Sequence, residues 1–284
     1  MGGRLPLTRQ TDLPQPLKRL SALSLSEDRS GIGGFSSGTV VGFGGFIWNQ
    51  NWRTCMCGRL TQTRPVREYA DLFRARLVPG LDLRPRYNLA PSQKALAVRI
   101  PLEGREREIW TPVWGLIPHW AREKGGYATI NARIETVRTR PAFRDSLNKR
   151  RCLVPADGYY EWQATPRGKI PFYFRQKSGD PLALAGLWDS WRDPATGDLL
   201  ETFTILVRPA VMAVRPIHDR MPVFLVPEEQ EAWLDPAVCP GPSWLEHLAG
   251  QEPSGLIWHR VSRAVNSPKN DGPELIHPLE PEPA

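Results

Sequence analysis

The first sustained pattern of apolar and polar positions is helical. From Pro65 to Leu77 (PVREYADLFRARL) apolar residues recur at helical spacing, with Pro65 suited to a first turn and Pro79-Gly80 as a stop. Beyond it, Ala95 to Ile100, Cys152 to Val154, Pro171 to Arg175, Leu182 to Trp188, Phe203 to Val207, Val223 to Val226 and Ile257 to Val261 read as short strands. Turn and loop residues separate most of them, where a doubly wound sheet would need crossover helices. That order predicts an α+β fold of mainly antiparallel, barrel-like sheets with flanking helices. Glu228 to Leu234 predicts a further short helix, and the proline-rich end after Ile276 reads as loose.

The pattern is missing before Met56. Residues 1–30 are rich in Leu, Pro, Arg and Ser without a period, and residues 31–50 (GIGGFSSGTVVGFGGFIWNQ) have no polar face. Their glycines complete neither G-x-G-x-x-G nor G-x-x-x-x-G-K-S/T, so no phosphate-binding loop is read there. The expectation is a disordered extension, propeptide or mis-assigned start over 1–56, a folded domain over 57–278 and a loose tail over 279–284.

Composition narrows the classes. A chain of 284 residues with 40% hydrophobic content can bury a core. No apolar run reaches the ~18 residues of a membrane span, and the start lacks the basic-then-apolar order of a secretory signal. No membrane association is expected, and the expected compartment is the cytoplasm. Cys55, Cys57, Cys152 and Cys239 are too scattered for a disulfide framework or a zinc site, and neither a metal nor a cofactor is expected. A formal charge of +7 permits a polyanionic partner. Nine of the eleven tryptophans follow Cys57, several beside Arg or Gly-Pro turns, and aromatics in that company can stack on unpaired bases.

Four stretches hold more polar and small residues than packing alone selects: Met56 to Arg59, Asn131 to Glu135, Ala156 to Trp162 and Ile217 to Pro222. They supply a thiol, an amide, a carboxylate and an imidazole, which are the ingredients of covalent catalysis. Taken singly each has a bland alternative: buried Cys as filler, Asn and His as turn caps, Glu as the solvated end of a strand. The joint pattern is what counts, because these stretches occur in order with Arg86-Tyr-Asn-Leu-Ala-Pro91, Pro112 to Trp120 and Ser262 to Asn266. From Met56 to about Pro278 the chain resembles the SOS response-associated peptidase (SRAP) family of abasic-site processing proteins.

The resemblance implies that Cys57, freed of the preceding methionine, attacks the aldehyde of an abasic site in single-stranded DNA. A terminal cysteine carries an amine and a thiol on adjacent carbons, so a Schiff base can close to a thiazolidine. An internal cysteine can give only a labile hemithioacetal. The unperturbed α-amine at about 7.7–8.0 and thiol at about 8.5 leave both within reach of neutral pH. By the same resemblance Asn131 positions the cysteine or the sugar, Glu161 moves protons, and His218 serves the deoxyribose side and crosslink reversal. Arg59, Arg133 and Arg220 match phosphate-holding arginines, and Trp120 an aromatic that stacks at the edge of the DNA. The implied protein is a monomeric, lyase-like crosslinking enzyme of the DNA-damage response, nucleoid-associated when bound to DNA. If residues 1–56 are translated, a cysteine-type autopeptidase activity would release them; the favoured expectation is translation from Met56, where ordinary methionine removal before a small residue exposes Cys57. A peptidase acting without DNA and a non-catalytic single-strand-binding module remain as alternatives, separable by self-cleavage and by salt-sensitive binding without an adduct.

Overall fold

The computed structural model describes residues 57–81, 83–124 and 129–279. The extension expected over 1–56 and residues 280–284 of the expected loose tail lie outside the described residues. In chain order the elements are β1 (Arg59–Gln62), α1 (Val66–Leu72), β2 (Arg76–Leu77), β3 (Arg86–Leu89), β4 (Ala97–Arg99), β5 (Glu108–Trp110), β6 (Val113–Trp114) and β7 (Asn131–Arg133). There follow α2 (Pro141–Lys149), β8 (Arg151–Ala156), β9 (Gly158–Thr165), β10 (Gly168–Gln176), β11 (Leu182–Arg192), β12 (Leu199–Pro209) and β13 (Arg220–Pro222). The last are α3 (Pro227–Leu234), α4 (Pro242–Gly250), β14 (Leu256–Arg260) and two 3-10 turns, Arg263–Asn266 and Pro273–Ile276.

One sheet runs β14-β10-β9-β1-β3, and the other runs β13-β12-β11-β8-β4-β5-β2 with β6 and β7 also on β12. Most pairings are antiparallel, as expected. The exceptions are β6 and β7 against β12 and β2 against β5. Among the described residues neither order closes on itself, so the expected barrel-like closure is replaced by two open sheets.

Strand alternation sets the layers. On β8, Cys152 and Val154 face the other sheet, joining Leu60, Leu89, Tyr159 and Phe174 in one buried cluster, while Leu153 faces the helices. There it joins Tyr69, Phe143, Leu147, Trp233 and Leu248. Each large apolar side chain so buried stabilises the fold by roughly 1.5–3 kcal/mol. A third cluster, Tyr160, Tyr173, Val261, Val265 and Leu275, covers the outer face of the smaller sheet.

The expected helix from Pro65 to Leu77 stops at Leu72. Arg74 adopts φ 51°, and Ala75 N–H donates to Ala70 O at 2.8 Å, a Schellman-type closure. Arg76 and Leu77 are then free to pair with Glu108 and Ile109 of β5. Of the expected strand Val223 to Val226, an isolated bridge between Phe224 and Leu184 remains, flanked by Ala185 N–H donating to Val223 O and Leu225 N–H donating to Ala183 O, with Val223 N–H donating to Leu206 O, while the ladder with β12 falls on Arg220–Pro222. The chain after Ile276 is less loose than expected, since Leu279 N–H donates to Arg260 O at 3.0 Å.

One glycine is required for the site. Asp157 alone separates β8 in the larger sheet from β9 in the smaller. A Cβ on Gly158 would lie 2.4 Å from both Phe174 O and the Tyr173 ring, so only glycine lets β9 start this close to β10.

Candidate functional site

The site forms where β9 faces the C-terminal half of β12. Period-two alternation sends Tyr160 to the outer cluster and turns Tyr159 inward, so Glu161 also points inward. Its side chain is buried, at 1% exposure. Cys57, two residues before β1, sits at the rim of the same inter-sheet core with Val214, Ile217 and Met221. It adopts φ 38°, in the left-handed region that a side chain tolerates poorly. Its backbone N–H donates to Glu161 Oε1 at 2.7 Å, across a sequence separation of 104. The thiol hydrogen-bonds the same carboxylate. Burial raises the pKa of Glu161 above the ordinary carboxylate range, against the opposing pull of His218 and the two Cys57 bonds.

His218 approaches from the loop before β13, with Nε2 3.9 Å from Glu161 Oε2. Its Nδ1 lies 3.1 Å from the Arg220 backbone N–H and 3.3 Å from Arg220 O. Nδ1 also lies 3.3 Å from Asp219 Oδ1, an acceptor for the doubly protonated ring.

Strand β12 gathers the other predicted residues. Asn131 lies opposite Ile205, Arg133 opposite Val207 and Arg220 opposite Pro209, so the three stand along its last five positions. Arg133 is exposed. The Arg220 guanidinium pairs with Glu135 Oε1 at 2.5 Å, so an arriving phosphate would compete with that carboxylate. Arg59 is placed differently. It is buried, and Nη1 donates to Asn88 Oδ1 and Val265 O, both at 2.8 Å, while Nη2 donates to Asn266 O at 3.2 Å. Those bonds make it a clamp on the Arg263–Asn266 turn, whose Asn266 Oδ1 also accepts from Trp162 Nε1 at 2.7 Å. Trp120 is 44% exposed on a turn closed by Ala121 N–H donating to Pro118 O. Asp189 pins that turn by accepting the His119 backbone N–H at 3.0 Å.

The structure therefore joins Cys57, Glu161 and His218 in one contact set, ranges Asn131, Arg133 and Arg220 along one strand, and sets Trp120 on a separate turn. Sequence reasoning passed over Tyr159, which shares the face of Glu161. The period-two pattern around Glu161 was the available signal. Among the described residues no group of three or more His, Cys, Asp or Glu is arranged to hold a metal, and no helix is long and apolar enough to cross a membrane.

Residues 56–268 match the SOS response associated peptidase (SRAP) family. The chain is 40% identical over 225 residues to the Bacillus subtilis abasic site processing protein YoqW, covering 78% of this chain and 99% of that one. It is 32% identical over 230 residues to the Escherichia coli abasic site processing protein YedK, covering 79% and 100%. It is 34% identical over 227 residues to the Gallus gallus abasic site processing protein HMCES, covering 69% and 67%. A solved structure from Bacteroides thetaiotaomicron superposes with a TM-score of 0.68 at 25% identity, covering 79% of this chain and 100% of that one. A phage-related protein from Bordetella bronchiseptica superposes with a TM-score of 0.58 at 32% identity, covering 73% and 95%.

Proposed function

Because the chain belongs to the SOS response associated peptidase family, we propose that it processes abasic sites by forming a covalent thiazolidine with the lesion in single-stranded DNA through Cys57 as its first residue. The observation that carries this reading is the buried Glu161 carboxylate, 2.7 Å from the Cys57 nitrogen on one oxygen and 3.9 Å from His218 Nε2 on the other. In a chain that begins at Cys57 that nitrogen is an α-amine.

The steps follow from those contacts. His218 in its protonated form gives its Nε2 proton to the ring oxygen of the abasic deoxyribose as the ring C–O bond breaks, the neutral imidazole takes back the proton that the hemiacetal hydroxyl sheds, and the aldehyde is released. The amine adds to the aldehyde carbon and passes a proton to Glu161. The carboxylic acid returns that proton to the new alkoxide, and the carbinolamine hydroxyl so formed takes a second proton from protonated His218 and leaves as water to give an iminium ion. The thiol then gives its proton to Glu161, sulfur bonds to the iminium carbon, and the C=N π pair moves to nitrogen. A carboxyl whose pKa is raised by burial suits a group that must hold and release a proton in successive steps. Asn131 positions the sugar, Arg133 and Arg220 hold flanking phosphates, and Trp120 stacks at the strand edge. The protein acts as a cytoplasmic monomer.

The same contact supports release of residues 1–56. The Cys57 thiol gives its proton to Glu161 as sulfur attacks the Met56 carbonyl carbon, the C–N bond breaks to leave a thioester, and the departing nitrogen takes that proton back from Glu161. Water then hydrolyses the thioester. Two measurements test these readings. Uracil-excised single-stranded DNA is expected to give a heat- and SDS-stable adduct, and its absence sinks the crosslinking reading. Mass spectrometry of the full chain kept free of DNA is expected to show a cut before Cys57, and an intact mass sinks self-release.

A further inference from the structure

A buried polar group in the inter-sheet core takes no part in the steps above. The Tyr159 hydroxyl is buried and without a hydrogen-bond partner among the described residues. The side chain as a whole is 1% exposed. Its ring is held by Phe174, stacked at 4.8 Å between centroids, and by Phe224 at 6.1 Å. Phenylalanine would fill that space without stranding a donor, so the hydroxyl needs an account.

Its position supplies one. Tyr159 pairs with Leu60 on β1, the strand that Cys57 leads into. Tyr159 and Glu161 share the inward face of β9, and Tyr159 belongs to the same buried cluster as Cys57. We propose that Tyr159 is a positioning residue for Cys57, its hydroxyl donating a hydrogen bond to the sulfur when the thiol ionises. The polar group stranded in the resting protein then gains its partner in the form that attacks the iminium carbon.

The charged groups around the thiol and the Tyr159 hydroxyl come from several elements. Glu161 on β9 opposes ionisation. His218, when protonated, favours it from the other oxygen of that carboxylate, while Arg208 on β12, buried and donating to Ala249 O at 2.7 Å, acts on the Tyr159 hydroxyl. The released α-amine adds a further cation. Burial, then the nearby Cys57 and Glu161, push ionisation of the Tyr159 hydroxyl well above its ordinary value, against Arg208, so it stays a donor at working pH. The role deepens the proposed function, since it rests on Cys57 as the reacting group, but its test reads the thiol without DNA.

Thiolate absorbance of the full chain, taken as the difference from a Cys57→Ala control, is followed against pH in the parent and in Tyr159→Phe. The variant is expected to move the midpoint up by about one pH unit, roughly a tenfold loss of thiolate at a fixed pH below it, with thermal stability held or improved. An unchanged midpoint overturns the proposal. Should the variant fail to fold, the tyrosine Raman doublet of the parent, again relative to Cys57→Ala, decides. It is expected to report a donating hydroxyl as Cys57 ionises, and a doublet blind to that ionisation overturns the role. A parent that titrates as expected yet gives no abasic adduct sinks the crosslinking reading and leaves the Tyr159 assignment standing.

Discussion

Replacing Glu161 by Gln separates what the carboxylate does for chemistry from what it does to stability. The side chain is 1% exposed, and its pKa is raised even after the favourable contacts with His218 and Cys57. The sign follows from linkage. Below the unfolded carboxyl value of about 4.3 both states hold the proton and there is no penalty. As pH rises towards the higher folded value, the unfolded chain releases its proton first and the folded state is progressively disfavoured. Above the folded value the penalty is constant. Gln keeps the shape and an acceptor for the Cys57 N–H at 2.7 Å but never ionises. Glu161→Gln is therefore expected to be more stable than the parent at pH 7 by about 0.5–2 kcal/mol. For a domain of this size that is about 2–4 °C in melting temperature per kcal/mol. The gap should close as pH falls through the carboxyl range. Abasic-site crosslinking should slow by about 10²–10⁴-fold, the usual contribution of a positioned acid–base group. Scanning calorimetry across pH and single-turnover adduct formation read the two effects. A variant less stable at neutral pH, or one that crosslinks at the parental rate, would refute the reasoning.

Gly158→Ala should destabilise by roughly 1–3 kcal/mol by chemical denaturation, because its Cβ would meet Phe174 O at 2.4 Å at a point where β9 cannot retreat. Arg220→Ala should leave stability within about 1 kcal/mol, since its partner Glu135 is half-exposed. It should reduce the salt dependence of single-strand binding by about 0.7 in the log–log slope, and an unchanged slope removes Arg220 from the phosphate contacts. Trp120→Ala should weaken binding by about 1–3 kcal/mol at little cost to folding, given a ring that is 44% exposed. Equal binding by fluorescence anisotropy would show that the ring stacks on no base.

Local pattern reached some elements and stopped short of others for physical reasons. The α+β class and the long antiparallel strands were legible because alternation and turn residues are local signals. The end of α1 was not, since Arg76 and Leu77 leave the helix to pair with β5, some thirty positions on. Two helices were overlooked although their signals are present. In α2 a proline opens the helix and Phe143, Ser146 and Leu147 make its buried face, and in α4 Leu245 and Leu248 do so behind Pro242. The short parallel strands β6 and β7 exist only because β12 offers them an edge, which no window along the chain contains. The same holds for the site. Cys57 and Glu161 are 104 positions apart, and only the joint motif pattern suggested that they meet. The carboxylate between thiol and imidazole, the clamp made by Arg59 and the inward Tyr159 hydroxyl depend on which face of β9 each residue occupies, and that follows from pairing with β1 and β10.

The most direct test of Cys57 as a reacting first residue is the intact mass of the adduct between the protein and an abasic single strand. A protein that begins at Cys57 is expected to give a species equal to the sum of protein and DNA less one water, as thiazolidine closure requires. Cys57→Ala, or a chain in which Met56 still precedes Cys57, is expected to give none. The same adduct from either control would contradict the account, because neither can present an amine and a thiol on adjacent carbons.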